Sequence, residues 1–75
     1  MREPAVPKGE TAWMGYYDTS HNLRFMVTSK SNSREFYFLY EVVDGALKKL
    51  GKSRSPKELE DKHKVHERVR EYDRL

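Results

Sequence analysis

The densest apolar run in the chain is Glu35–Asp44, Glu-Phe-Tyr-Phe-Leu-Tyr-Glu-Val-Val-Asp. Its aromatic and β-branched residues fit a pleated, half-buried surface. A period of two places Phe36, Phe38, Tyr40 and Val42 on one face and Tyr37, Leu39, Glu41 and Val43 on the other. Both sets are largely apolar, which predicts a central strand covered on both sides. Thr11–Asp18 reads as an earlier strand in which Ala12, Met14 and Tyr16 alternate with Trp13, Gly15 and Tyr17. Leu23–Ser29 alternates more cleanly, with Leu23, Phe25 and Val27 expected inward and Arg24, Met26 and Thr28 outward.

Turn formers separate these runs at Thr19–Asn22 and Ser31–Ser33. Asp44-Gly45 is the strongest tight-hairpin signal, because both residues tolerate positive φ. It predicts a short fourth strand, Ala46–Leu50, whose lysines suit an exposed edge, and then a loop over Gly51–Ser53. Ser55-Pro56-Lys57-Glu58 is a helix-start signature: serine caps, proline takes the first turn, and glutamate reaches back to the cap. The helix is expected to run from Pro56 to about Tyr72. Its thin apolar stripe is Leu59, Val65, Val69 and Tyr72, and Glu58–Lys62 and Glu60–Lys64 are i, i+4 pairs.

The element order predicts an α+β fold, a small antiparallel β-meander of three to four strands with one C-terminal helix packed on the sheet. Residues 1–10, with Pro4, Pro7 and Gly9, read as a flexible N-terminal arm, and residues 11–75 as a single domain. If the helix covers the side of Leu23, Phe25 and Val27, then Trp13, Tyr17, Met26, Tyr37 and Leu39 face two alternatives. They form a partly exposed interaction patch, or strong twist folds both faces into one core.

Composition narrows the setting. A chain of 75 residues is one domain that buries only about 60% of its unfolded surface. Without cysteine, disulfides and thiolate sites are excluded. No run approaches the roughly 20 apolar residues of a membrane span, and the N-terminus lacks the apolar core of a signal peptide. The expected setting is soluble and intracellular. Fifteen Lys and Arg against twelve Asp and Glu give a net charge of +3. The surplus sits in Lys48, Lys49, Lys52, Arg54 and Lys57, a stretch without an acid. Such a cluster attracts polyanions or acidic surfaces, unless it is simply a solvated face.

Candidate chemistry is sparse. His63 and His66 share a helix side, but a metal site needs three or four converging ligands. There is no Gly-x-Ser-x-Gly turn and no glycine-rich phosphate loop, since the glycines lie apart at 9, 15, 45 and 51. Neither enzyme activity nor a cofactor is expected. Nucleic-acid binding is a stronger candidate: Trp13, Tyr17 and Tyr37 supply stacking surfaces, and Lys48, Lys49, Lys52 and Arg54 supply phosphate contacts. Against it stand the absence of an RNA-recognition aromatic motif and the diluting effect of twelve acids.

The basic cysteine-free chain, the Trp13-Met14-Gly15-Tyr16-Tyr17-Asp18 strand, the Phe36–Val43 strand and the charged C-terminal helix together carry a resemblance. Over essentially its whole length the chain resembles the small RNA-polymerase-binding transcription regulators exemplified in the Xanthomonas lytic phage Xp10. The resemblance implies a non-enzymatic monomer in the host bacterial cytoplasm that binds the N-terminal segment of the polymerase β′ subunit near the RNA exit channel. It implies inhibition of promoter initiation by σ-factor displacement, antitermination during elongation, and proximity to nascent RNA. No contact residue transfers one by one. On residue chemistry, Trp13, Tyr16, Tyr17 and Tyr37 are the candidate partner anchors, because Trp and Tyr dominate interface hot spots. Lys48, Lys49, Lys52 and Arg54 are the candidates for electrostatic steering. Core packing or a solvated surface remains the alternative for each.

Overall fold

The computed structural model describes residues 6–69 and 71–74. Strands β1 (Glu10–Tyr17), β2 (Leu23–Lys30), β3 (Ser33–Val43) and β4 (Ala46–Ser53) form an antiparallel meander. Helix α1 (Pro56–Lys62), a short turn of helix α2 (Val65–Arg68) and strand β5 (Glu71–Arg74) follow. The spatial order is β4-β3-β2-β1-β5. The α+β meander with a C-terminal helix on the sheet is therefore present, and a fifth strand is added to it.

Turn chemistry places the strands. Asp44 and Gly45 take φ values of 52° and 78°, the left-handed pair required by a two-residue hairpin whose twist matches its strands. At the β1–β2 turn the Asp18 carboxylate accepts the backbone N–H groups of Ser20 and Asn22 at 2.9 and 3.0 Å. Those bonds, Asn22's first, hold the Asp18 carboxyl below the usual aspartate value.

Three sequence expectations need correction. The helix does not continue to Tyr72. It stops at Lys62, Lys64 adopts a left-handed φ of 52°, and the chain re-enters the sheet with Tyr72 opposite Tyr16. A seven-residue helix is marginal alone, and joining the free rim of β1 satisfies backbone groups that a frayed helix would leave to water. The Ser55 cap is also not closed by its side chain. Glu58 instead accepts from Ser53 Oγ, and the same oxygen receives the Ser55 N–H at 3.3 Å. Finally, the predicted Gly51–Ser53 loop is strand, the end of β4. Met1–Ala5 lie outside the described residues, but Glu10 is the first residue of β1, and Ser31 donates its N–H to Gly9 at 2.9 Å.

The core lies between the sheet and the C-terminal helices. Tyr16, Phe25, Val27 and Leu39 from β1–β3 pack with Leu59, Val65 and Val69. Burying side chains of this size stabilises by about 1.5–3 kcal/mol each. Glu60 turns into this layer and accepts the buried Tyr16 hydroxyl at 2.5 Å. Such a charge-assisted bond ties α1 to β1. On the helix side of β4, Gly51 leaves space for His63: a Cβ there would lie 3.2 Å from Nε2.

β-Bulges decide which residues share a face. Trp13 is the extra residue of β1 between the Ala12↔Thr28 and Met14↔Val27 pairs, and Arg24 is extra in β2 between Phe25 and Leu23. The second bulge sends Leu23 to the face away from the helix, where its Cδ1 approaches Gly15 together with the Tyr17 ring. A strict period of two had kept Leu23 beside Phe25. In β4, Leu50 is the extra residue between Tyr40↔Lys49 and Leu39↔Gly51. Both Lys49 and Lys52 therefore stand opposite residues of one face, Tyr40 and Phe38.

Candidate functional site: a cation-capped aromatic sheet face

The face of the sheet opposite the helix carries Phe36, Phe38, Tyr40 and Val42 from β3, as the alternation predicted, with Met26 and Thr28 beside them on β2. Among the described residues no secondary-structure element packs over it, yet Met26, Thr28, Phe38 and Tyr40 are buried. Long polar side chains form the cover. Lys49 Nζ lies 4.3 Å from the Phe38 ring centroid and 5.6 Å from that of Tyr40. Lys52 Nζ lies 5.0 Å, and the Arg54 guanidinium 5.6 Å, from the Phe36 centroid. Each cation sits against the negative face of a π system while its stem shields apolar surface.

Glu10 closes the β1 side of this face. Tyr40 donates its hydroxyl to both carboxylate oxygens, at 2.8 and 3.0 Å, and Thr28 donates at 2.6 Å. Burial, then the hydrogen bond and charge of Glu10, pushes the Tyr40 phenol up to about 12. A hydrogen-bonded acid thus flanks the β3 rings on the β1 side, and the cations of β4 and the residue after it flank them on the other. A groove of about 660 Å³ opens beside the cations, lined among others by Lys30, Ser33, Phe36, Phe38, Lys49 and Lys52. Glu35 also lines it, the single acid among five polar or basic neighbours named with it here or lining it as Asn32.

The structure separates the residues that the sequence singled out. Lys49, Lys52 and Arg54 come together, whereas Lys48 pairs with Glu41 and belongs to the opposite face. Tyr16 is fully buried in the core and is not a surface anchor. Tyr17 is half-buried at the far β1 side of the cation-bearing face. Trp13 and Tyr37 lie together towards one end of the helix-covered side. Trp13 donates its indole N–H to Ser29 Oγ at 2.7 Å, and Ser29 is the Cα partner of Tyr37. The Arg34 guanidinium stacks 4.3 Å above the Trp13 ring.

Phe36, Phe38, Tyr40, Lys30 and Arg34, which residue chemistry alone does not single out, are brought by the fold to the cation–ring stacks or the groove. The Asp44-Gly45 hairpin already aligns Tyr40 with Lys49 by counting outward from the turn. It does not align Phe38 with Lys52, because the Leu50 bulge shifts the register between them. As to metal ligation, no group of three or more His, Asp or Glu converges among the described residues. No protein-family model, curated protein or solved structure matches this chain.

Proposed function

We propose that this protein is a non-enzymatic binding module whose helix-free sheet face receives single-stranded nucleic acid. The observation that carries this reading is the convergence of Lys49, Lys52 and Arg54 over the rings of Phe36, Phe38 and Tyr40. A single strand offers both chemistries that this face complements. Its bases stack on aromatic rings, and its phosphates draw lysine and arginine heads off those rings into charge-assisted bonds. Phe36, only half-buried at the groove mouth, is the stacking position most open to a base.

The test is fluorescence anisotropy with labelled single- and double-stranded oligonucleotides across a salt series. Three phosphate contacts give a log–log salt slope of about −2 for a single strand. Replacing Lys49, Lys52 and Arg54 together by alanine is expected to abolish that slope and most of the binding. Saturable binding that the triple variant leaves intact would refute the assignment of this face, as would an absence of binding at low salt.

A second reading is the polymerase-binding regulator implied by the resemblance. The Trp13–Arg34 stack beside Tyr37 favours it, because Trp and Tyr, half-buried here, and Arg, exposed here, are the residue types that anchor protein interfaces. In this reading the chain binds the β′ N-terminal segment, inhibits initiation through σ-factor displacement and acts as an antiterminator. Retention on bacterial core polymerase and on the isolated β′ segment, lost in Trp13→Ala but kept in the Lys49/Lys52/Arg54 triple variant, supports it. Failure to retain either polymerase species sinks it.

A further inference from the structure

β4 ends the sheet: β3 is its one strand neighbour in the order β4-β3-β2-β1-β5. Its outer rim runs for eight residues, about 27 Å of extended chain. An unpaired rim of this length is a template for another strand. The rim lies between two grooves. On the cation-bearing side is the 660 Å³ groove with Lys49 and Lys52. On the helix side a groove of about 520 Å³ is lined by Lys52, Ser53, Glu58, Leu59, Asp61 and Lys62, so acids belong on the cation side of an added strand and not on this one. β4 itself, Ala-Leu-Lys-Lys-Leu-Gly-Lys-Ser, contains three lysines and no acid.

These features select against one occupant and for another. A second copy pairing through β4 would bring lysines against lysines, and like charges directly opposite one another are destabilising. An acidic chain meets the reverse situation. The Leu50 bulge puts Lys49 and Lys52 on the same face although they are three residues apart, and Arg54 follows at the Phe36 ring on that face. A strand added at the rim alternates its side chains between the two grooves. Its positions on the cation side would meet Lys49 and Lys52. Those on the other side would meet the half-buried Leu50 and the groove beside Leu59.

We infer that the outer rim of β4 binds an extended protein segment by strand addition, and that this segment carries acidic residues at every second position. Main-chain bonds supply the pairing, and the lysine face sets the register and the charge preference. This surface shares Lys49 and Lys52 with the stacking face, but its recognition runs through β4 N–H and C=O groups that nucleic acid does not pair with as a strand. The two readings therefore fail separately.

The experiment titrates the full chain with an acetylated, amidated octapeptide of alternating Glu and Thr. Amide chemical shifts and hydrogen exchange of β4 are followed by NMR. The expected result is saturable binding with slowed exchange at alternate β4 amides. It should weaken at least about tenfold when alternate peptide nitrogens are methylated, since each methyl removes a main-chain donor. The exposed substitution Lys49→Glu is expected to reduce affinity several-fold with the fold retained. Equal binding of the N-methylated peptide would show simple charge attraction and overturn the proposal. So would binding without protection of β4 amides, or β4 protection produced by a single-stranded oligonucleotide and not by the peptide.

Discussion

On the helix-covered face, Phe25, Val27 and Leu39 meet Leu59, Val65 and Val69, and water is excluded by other apolar side chains. On the opposite face, Phe38 and Tyr40 are buried to a similar degree, but the stem and ammonium of Lys49 provide part of the cover. The difference lies in what it takes to uncover each face. Separating α1 from the sheet exposes a core and breaks the Tyr16–Glu60 hydrogen bond. Swinging a lysine off a ring costs about 0.5–1 kcal/mol at exposed sites. Burial alone therefore does not distinguish a structural aromatic from a displaceable one. The identity of the covering group does.

The sharpest test of this contrast compares Leu39→Ala with Phe36→Ala. Leu39 is fully buried under α1, and its truncation is expected to cost about 2–5 kcal/mol in urea denaturation. Phe36→Ala is expected to change stability by less than about 1 kcal/mol while weakening single-strand binding by about 1–3 kcal/mol. A Phe36→Ala protein that unfolds as readily as Leu39→Ala would erase the distinction between the faces. Tyr16→Phe comes next. It removes the hydroxyl that donates to the buried Glu60 carboxylate and should cost about 1.5–3 kcal/mol by the same measurement, with oligonucleotide affinity unchanged.

Lys49→Ala should move the opposite quantity. Stability is expected to stay within about 0.5 kcal/mol, and the magnitude of the oligonucleotide salt slope should fall by about 0.7. A smaller effect concerns pH at the Glu10 corner. Burial and the Glu10 carboxylate favour the neutral phenol of Tyr40, moving its pKa from 10.0 to about 12. The stability contributed by that preference is fully present below about pH 10 and is lost as pH rises through 12. The stability difference between the wild-type protein and Tyr40→Phe should accordingly be flat up to pH 10 and shrink above it, as followed by denaturant titration at each pH. A difference that grows with alkalinity would overturn the assigned cause. The smallest effect is expected at Asp18. Its lowered pKa contributes stability above the ordinary aspartate value of 3.8, which is lost as pH falls through its folded value. Asp18→Ala should remove that acid-side loss in the same titrations.

Much of the fold was legible because local signals agreed. The Asp44-Gly45 turn, the alternation of Phe36, Phe38 and Tyr40, and the start of α1 at Pro56 each rest on backbone preferences within a few residues. The candidate site was only half legible. The sequence predicts lysines on an edge strand, but it points to Trp13, Tyr17 and Tyr37 as the exposed aromatics. The apolar pattern of Phe36 and Phe38 predicts a strand covered on both sides, and nothing within that strand indicates that a cation supplies the cover.

The sequence by itself determined the order of the first four strands, their antiparallel hairpins and the basic character of β4, since period, turn residues and charge are local properties. Tertiary structure decided the rest. The bulges at Trp13, Arg24 and Leu50 reassign faces by single residues, and a bulge is favoured by packing across the sheet that no window of one strand contains. The end of α1 at Lys62 and the return of the chain as β5 were decided in the same way. The free rim of β1 offered main-chain partners to residues whose own helical pattern was thin. Whether an aromatic of the sheet packs against leucine, as Phe25 does, or lies under a lysine, as Phe38 does, was decided by the tertiary fold.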